Sequence, residues 1–106
     1  MYITNPEEFR NRIRSYIGNF IEDKRSYSNI EKSIYNYSIQ QSDHYNIKKR
    51  WDNSLFVVIY LDKFKIIRHY LKDPMILDKL IKDIEFCKEI AFKSEQEIYP
   101  EYWKSI

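Results

Sequence analysis

The chain contains very few of the residues that build turns, disulfides and metal clusters. Its 106 residues include one glycine, three prolines and one cysteine. So few glycines and prolines leave little turn chemistry for an all-β fold. The single cysteine, Cys87, excludes an internal disulfide and a cysteine-based zinc cluster, which favours an intracellular protein.

Long apolar runs are also missing, since none approaches the roughly 20 residues of a membrane span. The first residues do not resemble a secretory signal, so we expect an intracellular protein without membrane contact. The net charge of +2 is nearly balanced, and function must therefore depend on how charge is arranged. The length predicts one domain, residues 1–106, with a single modest core.

Helical periodicity is what the sequence has in abundance. A first helix is predicted over 5–23, with Asn5 as N-cap, Pro6 at the first helical position and Glu8 completing a capping box. Ser28 and Glu31 predict a second capping box, opening a helix that ends near residue 41. Residues 42–53 are polar and are predicted to form a connection.

The strongest pattern predicts a third helix over 54–72. One broad side collects its apolar residues, namely Phe56, Ile59, Tyr60, Phe64, Ile66, Ile67, Tyr70 and Leu71. The other side collects cations and a histidine, namely Lys65, Arg68, His69 and Lys72. We expect Phe56, Tyr60, Phe64, Ile67 and Leu71 to be buried against Ile13, Ile17, Ile30 and Ile34.

Short helices are predicted after this third helix. Asp73 and Pro74 form a stop followed by a start, leading to short helices over 75–83 and 85–92. Ser94 and Glu97 predict a capping box for a last helix, which Pro100 should end or kink. The sequence therefore predicts an all-α fold, a three-helix bundle with short additional C-terminal helices.

The basic residues offer two candidate binding groups. Lys65, Arg68 and Lys72 recur at i, i+3 and i+7 and form a stripe on one helix face. Lys48, Lys49 and Arg50 are consecutive, so they cluster only if they lie in a loop. Each group has a plain alternative reading as solvated surface. Arg10, Arg12 and Arg14 alternate, so a helix should scatter them, and no site is assigned to them.

Catalytic and metal-binding patterns are not evident, so an enzyme is not expected. His44 and His69 are far apart and have no acid at ligand spacing, and Asp83, Glu85 and Glu89 suit a solvated surface. Cys87 suits the core. Among the many aromatic residues, Tyr45 and Trp51 are the candidates for exposed contacts, although Trp51 also suits the end of a bundle.

The order of several short motifs resembles the central, polymerase-binding domain of the transcription elongation factor TFIIS. The motifs are Ile30-Glu31-x-x-Ile34-Tyr35, Tyr60-x-x-Lys63-Phe64-Lys65, Tyr70-Leu71-Lys72-Asp73, Ser94-Glu95-Gln96-Glu97 and Pro100-Glu101-Tyr102-Trp103. The last motif, with the Trp51, Phe56 and Tyr60 spacing, is similar to factors of large DNA viruses. Tyr70 and Lys65 depart from the family, which usually has Asn and Arg there.

The resemblance implies docking rather than chemistry. It implies a multisubunit DNA-directed RNA polymerase as partner, with Lys63, Lys65, Arg68, Lys72 and Lys48–Arg50 as candidate contacts, and a monomer in the nucleus or in a viral factory in the host cytoplasm. In the family, transcript cleavage depends on a C-terminal zinc ribbon. We expect no cofactor in this chain, and zinc only in such a ribbon. The alternatives are a stand-alone nucleic-acid-binding domain, with nucleic-acid contact through the same stripe, and a generic helical adaptor.

Overall fold

The computed structural model describes residues 2–104, and seven α-helices and one 3-10 turn lie within them, joined by short loops. The α-helices are α1 (Pro6–Gly18), α2 (Lys24–His44), α3 (Ser54–Leu71), α4 (Pro74–Lys82), α5 (Ile84–Glu89), α6 (Glu95–Ile98) and α7 (Pro100–Lys104), with the 3-10 turn at Ile90–Phe92. No strand occurs within these residues. The all-α prediction is confirmed.

Helix α1 begins at the predicted Asn5 cap and ends early. The predicted capping box does not form, because the Glu8 carboxylate accepts from the Asn5 side-chain amide at 3.4 Å and not from its backbone amide. The Asn5 side-chain oxygen accepts a hydrogen bond from the Glu8 amide at 3.1 Å, which satisfies one of the free donors of the first turn. The helix ends at Gly18 and not at residue 23. A Cβ atom at Gly18 would lie 3.3 Å from the Tyr27 ring of α2, so this glycine allows the two helices to approach closely as the chain reverses.

Helix α2 begins earlier than predicted. Asp23 is its N-cap and accepts a hydrogen bond from the Arg25 amide at 2.8 Å. The predicted capping box of Ser28 and Glu31 is therefore wrong, because both residues lie inside the helix. The carboxylate of Glu31 is fully buried, and it has tertiary partners instead of a helix terminus. The helix ends at His44, slightly after the predicted end.

Helices α3 and α4 start at an amide and an acidic cap, respectively. Asn53 accepts from the Leu55 amide at 2.9 Å, and Asp73 accepts from the Met75 amide at 2.9 Å. Both helix starts agree with the predicted boundaries. The predicted segment 85–92 is a short α-helix that tightens into the 3-10 turn.

The C-terminal capping box is confirmed, and the helix that it opens ends just before Pro100, as predicted. Ser94 accepts from the Glu97 amide at 3.3 Å, and the Glu97 carboxylate accepts from the Ser94 amide at 3.0 Å. Helix α6 ends at Ile98, and Tyr99, the residue before Pro100, leaves the helical conformation with φ −121° and ψ 61°, as a residue before proline is expected to do. Pro100 then opens α7, because proline suits the first helical position, where no amide donor is needed.

The core forms around α2, which packs against α1, α3, α5 and the 3-10 turn. All nine residues predicted to be buried are buried. The third helix is thus phased as predicted at those positions. Phe9 and Tyr16 of α1 also pack on α3, with ring centroids 5.6 Å from Tyr60 and 5.5 Å from Phe64. These aromatic contacts join α1 directly to α3.

The short C-terminal helices complete the core from the other side of α2. They contribute Ile76, Leu80, Phe86, Cys87, Ile90 and Ala91. The Ala91 amide donates to the Ser33 hydroxyl at 3.0 Å, where a buried backbone donor would otherwise be unsatisfied. The prediction of a buried Cys87 is confirmed, and its thiol donates to the Leu80 carbonyl at 3.1 Å.

Candidate functional site

Helix α3 presents the predicted basic stripe on its outer face. Lys65, Arg68 and Lys72 are exposed, while Phe64, Ile67 and Leu71, each one residue before one of these cations, are buried. The inner face holds the helix in place, so these cations can meet a partner without disturbing the core. The structure therefore brings together three of the predicted site residues on the C-terminal half of α3.

The stripe has no internal counter-charges. Lys65, Arg68 and Lys72 form no ion pair with any side chain in the described part of the chain. By contrast, most arginines elsewhere are paired with carboxylates. Unpaired cations leave their charge available to a partner. A plain alternative is that Arg68, in the last turn, and Lys72, at the C-cap, offset the negative end of the helix dipole.

Lys63 does not belong to this stripe. Its ammonium lies 4.1 Å from the centroid of the Tyr37 ring on α2, a favourable cation–π geometry. The side chain is partly buried, and the loss of hydration lowers the pKa of Lys63. It sits at the boundary between the core and the outer face, so it is a weaker candidate for a contact than Lys65.

Lys48, Lys49 and Arg50 lie in the loop between α2 and α3, as a cluster of consecutive cations requires. Two of them have carboxylate partners close by in the chain. Lys49 pairs with Asp43 at 2.5 Å, and Arg50 binds Asp52 through two bonds of 3.0 and 2.6 Å. Only Lys48 is left without an acidic partner among the described side chains, so the loop is largely neutralised.

The two predicted basic groups form separate sites. The loop leads into the N-terminus of α3, whereas the stripe occupies its C-terminal half. At 1.5 Å per residue, Lys65 lies about 16 Å and Lys72 about 27 Å along the axis from the first residue of α3. The stripe and the loop therefore cannot act as one compact patch.

Trp51 closes one end of the bundle. Its ring contacts those of Phe9, Tyr35, Phe56 and Tyr60, with centroid distances of 5.1–6.1 Å. The Trp51 carbonyl also accepts from the Ile3 amide at 2.8 Å. This tryptophan is thus a packing residue. Tyr45 remains exposed, with 65% of its surface open to solvent.

A buried ionic cluster joins α1, α2 and α3, and sequence reasoning missed it. The Glu31 carboxylate accepts two bonds from Arg10, at 2.9 and 2.8 Å, and one from the Tyr60 hydroxyl at 2.8 Å. Arg14 approaches the same carboxylate at 3.3 Å. The Arg10 guanidinium also lies 4.1 Å from the centroid of the Tyr35 ring. Four charged or polar groups therefore satisfy one another inside the bundle.

The cluster shifts the pKa values of Arg10 and Tyr60. Burial alone would lower the pKa of Arg10, but the hydrogen bonds and charge of Glu31 raise it above its ordinary value. The pKa of Tyr60 is strongly raised, first by burial and then by the Glu31 carboxylate. Both groups thus keep the protonation state in which they donate hydrogen bonds to the carboxylate.

A groove of about 660 Å³ lies between α1 and α2. Arg10, Arg14 and Glu31 line part of it, but these three groups are committed to one another. No group of three metal-ligating side chains occurs among residues 2–104. No helix of the same region is long and apolar enough to cross a membrane.

Comparison with known proteins adds no relative. No protein-family model, curated protein or solved structure matches this chain. The TFIIS resemblance therefore depends on the sequence motifs quoted above alone.

Proposed function

We propose that this domain docks onto a multisubunit DNA-directed RNA polymerase as part of a TFIIS-like elongation factor that helps arrested polymerase resume. In this proposal the domain anchors the factor and performs no chemistry. The setting would be the nucleus or a viral factory. The observation that carries the proposal is the exposed stripe of Lys65, Arg68 and Lys72, which has no counter-charge within the described residues.

Electrostatics support a protein partner with an acidic surface. An exposed cation that is already paired gains little from a second carboxylate, whereas an unpaired cation can steer association through an attraction that salt screens. The stripe is rigidly presented, because Phe64, Ile67 and Leu71 fix the same turns of α3 in the core. Little ordering cost should then oppose binding.

The test reverses the three charges to glutamate in one variant. We expect K65E/R68E/K72E to lose binding to the cognate polymerase, because like charges across an interface cost several kcal/mol. A matched control, K24E/R25E/K32E, changes the net charge equally on exposed and unpaired residues of α2, and should still bind. Pull-down at two salt concentrations measures both variants.

Folding must be checked separately in this test. Arg68 and Lys72 lie at the C-terminal end of α3, where a negative charge opposes the helix dipole at a cost of about 0.3–1 kcal/mol each. We therefore expect only a small loss of thermal stability. Wild-type affinity for polymerase in the stripe variant would contradict the proposal. Salt-dependent binding to RNA or DNA without polymerase, lost in the same variant, would favour the nucleic-acid alternative.

A further inference from the structure

The outer face of α3 carries an apolar stripe beside its cations. Leu55, Val58 and Ile66 are 58%, 44% and 44% exposed, and Ile59 is partly exposed. With 3.6 residues per turn, these four side chains fall within an arc of about 100°. Ile66 corrects the sequence prediction, which placed it on the core side. Helix α3 is therefore apolar on both its inner and its outer face.

Charges border this apolar stripe on both sides. Lys65 and Lys72 follow one edge, and Lys63 lies at the other, over the Tyr37 ring. One acidic residue, Asp62, lies within the stripe, and it has no ion pair among the described side chains. The exposed His69 also falls within this arc, near the end of α3. The outer face of α3 therefore carries four apolar side chains interrupted by Asp62 and His69, with lysines at its margins.

A shallow groove runs beside the apolar stripe, where α3 meets the end of α2. Tyr37 and Tyr45 form one wall, and Ile59 and Ile66 form the other, enclosing about 160 Å³. Small-molecule pockets usually measure about 300–1,000 Å³, so this groove is undersized for such a ligand. A protruding apolar side chain of a protein is a better match for it.

We propose that this face binds an amphipathic helix of the partner protein, with apolar side chains against Leu55, Val58 and Ile66 and acidic side chains towards Lys63, Lys65 and Lys72. The choice of polymerase as the owner of that helix rests on the proposed function. Charge complementarity argues for an acidic occupant. A second copy of this chain would place like-charged margins against each other, so self-association is disfavoured.

The apolar stripe differs from the basic residues in how it should act. Apolar anchors at the centre of an interface dominate affinity, whereas charges at its rim mainly affect association rate and salt dependence. Removing the anchors should therefore weaken binding at high and low salt alike. Reversing Lys65, Arg68 and Lys72 should weaken it most at low salt.

The probe is a synthetic amphipathic peptide of about 18 residues, which matches the length of α3, with leucine along one face and glutamate at its margins. A second peptide carries lysine in place of glutamate. We expect the glutamate peptide to bind at least about tenfold more tightly than the lysine peptide, measured by fluorescence anisotropy. Amide shifts in the NMR spectrum should centre on Val58 and Ile66. No binding of the glutamate peptide would overturn the inference.

Matched variants locate the contact. V58Q/I66Q introduces glutamine, a better helix former than valine or isoleucine, and should weaken peptide and polymerase binding at least about tenfold. The control M75Q/I81Q changes two exposed apolar residues of α4, 72% and 55% exposed, and should bind as wild type. Thermal unfolding checks both variants, and Leu55→Gln replaces V58Q/I66Q if that variant fails to fold.

The outcomes separate this inference from the proposed function. If V58Q/I66Q binds polymerase like wild type while K65E/R68E/K72E does not, the function stands and the apolar contact is wrong. If wild type binds the glutamate peptide through Val58 and Ile66 but no polymerase, the function is wrong and the surface stands. A dimer seen by sedimentation, and lost in V58Q/I66Q, would make a second copy the occupant and overturn the inference.

Discussion

Replacing Glu31 with glutamine should destabilise the domain more than any change of an exposed ion pair. The substitution keeps the shape of the side chain but removes the charge that Arg10 and Arg14 face. It also weakens the acceptor of the Tyr60 hydroxyl. The carboxylate is only 1% exposed, so water cannot take over its bonds without opening the bundle.

The magnitude follows from the burial of each partner. Removing one member of a buried ion pair costs about 3–5 kcal/mol, because the remaining charge stays desolvated. Arg10 and Arg14 keep 19% and 22% of their side-chain surface exposed, so their guanidinium groups can turn partly towards water. We therefore expect Glu31→Gln to cost about 3 kcal/mol, near the lower limit of that range.

Two further variants apportion this loss. Tyr60→Phe removes one hydrogen bond to a charged acceptor, for which we expect about 1.5–3 kcal/mol. Arg12→Gln removes the exposed pair with Glu8 on the same helix, and should cost about 0.3–0.5 kcal/mol. The measurement is urea unfolding at neutral pH with and without about 1 M NaCl, because salt screens the exposed pair far more than the buried one.

One result would refute the reasoning. If Glu31→Gln costs less than about 1 kcal/mol, as an exposed pair would, the cluster does not hold α1, α2 and α3 together. A double-mutant cycle of Arg10→Gln and Glu31→Gln supplies a second check, since directly bonded groups should show a coupling energy of at least about 0.5 kcal/mol. Additive losses would show that the two side chains act independently.

Two more predictions concern the core. Phe64→Ala should cost about 3–5 kcal/mol in urea unfolding, because this α3 ring is buried against α1. The control Met75→Ala, at an exposed position, should cost less than about 0.5 kcal/mol. A loss below about 1 kcal/mol for Phe64→Ala would place that ring at the surface. Burial raises the pKa of Cys87 to about 11, so its thiol should react with Ellman's reagent at about pH 8 only as fast as the protein opens, and fully at once in denaturant. Because the raised pKa disfavours the thiolate in the folded protein, the free energy of unfolding should fall as the pH rises above about 9, the pKa of the thiol in the unfolded chain. Rapid labelling of the native protein would contradict the buried position of Cys87.

Helix positions were predictable because their signals are local. The Asn5 and Ser94 caps, the Asp73–Pro74 boundary and the long period of α3 all need only neighbouring residues, and each agrees with the structure. The early end of α1 could not be predicted from neighbouring residues. The apolar period continues through Phe20 and Ile21, whereas the helix ends at Gly18, where the backbone packs closely on the Tyr27 ring of another helix.

The ionic cluster shows where local patterns mislead. Ser28 and Glu31 have the spacing of a capping box, yet the carboxylate is bound by Arg10 and Tyr60 from two other helices. A usable signal was present in Arg10 and Arg14, which are four residues apart and share a helix face. The alternation with Arg12 hid that pair. Partners far apart in sequence are settled only by tertiary packing.

Helix α3 was phased correctly only in part, for a physical reason. Periodicity finds an apolar face, but it does not reveal which of two apolar faces meets the core. Ile66 and Val58 belong to the second face, and their exposure appears only once α1 and α2 occupy the first. The candidate site was therefore predicted for its cations and missed for its apolar stripe.

The two faces of α3 should separate stability from binding. The inner face is fixed by Tyr60 on Glu31 and by Phe64 on α1, so the outer face is presented without a further ordering cost, which favours affinity. Variants of the inner face should unfold the domain and lose binding only in proportion to the folded fraction. Variants at Val58 and Ile66 should lose binding with only a small change in the unfolding midpoint, because those side chains are already 44% exposed in the fold. If both sets of variants moved affinity and midpoint together, the outer face would be part of the fold's own packing, and the partner surface would have to be sought elsewhere on the molecule.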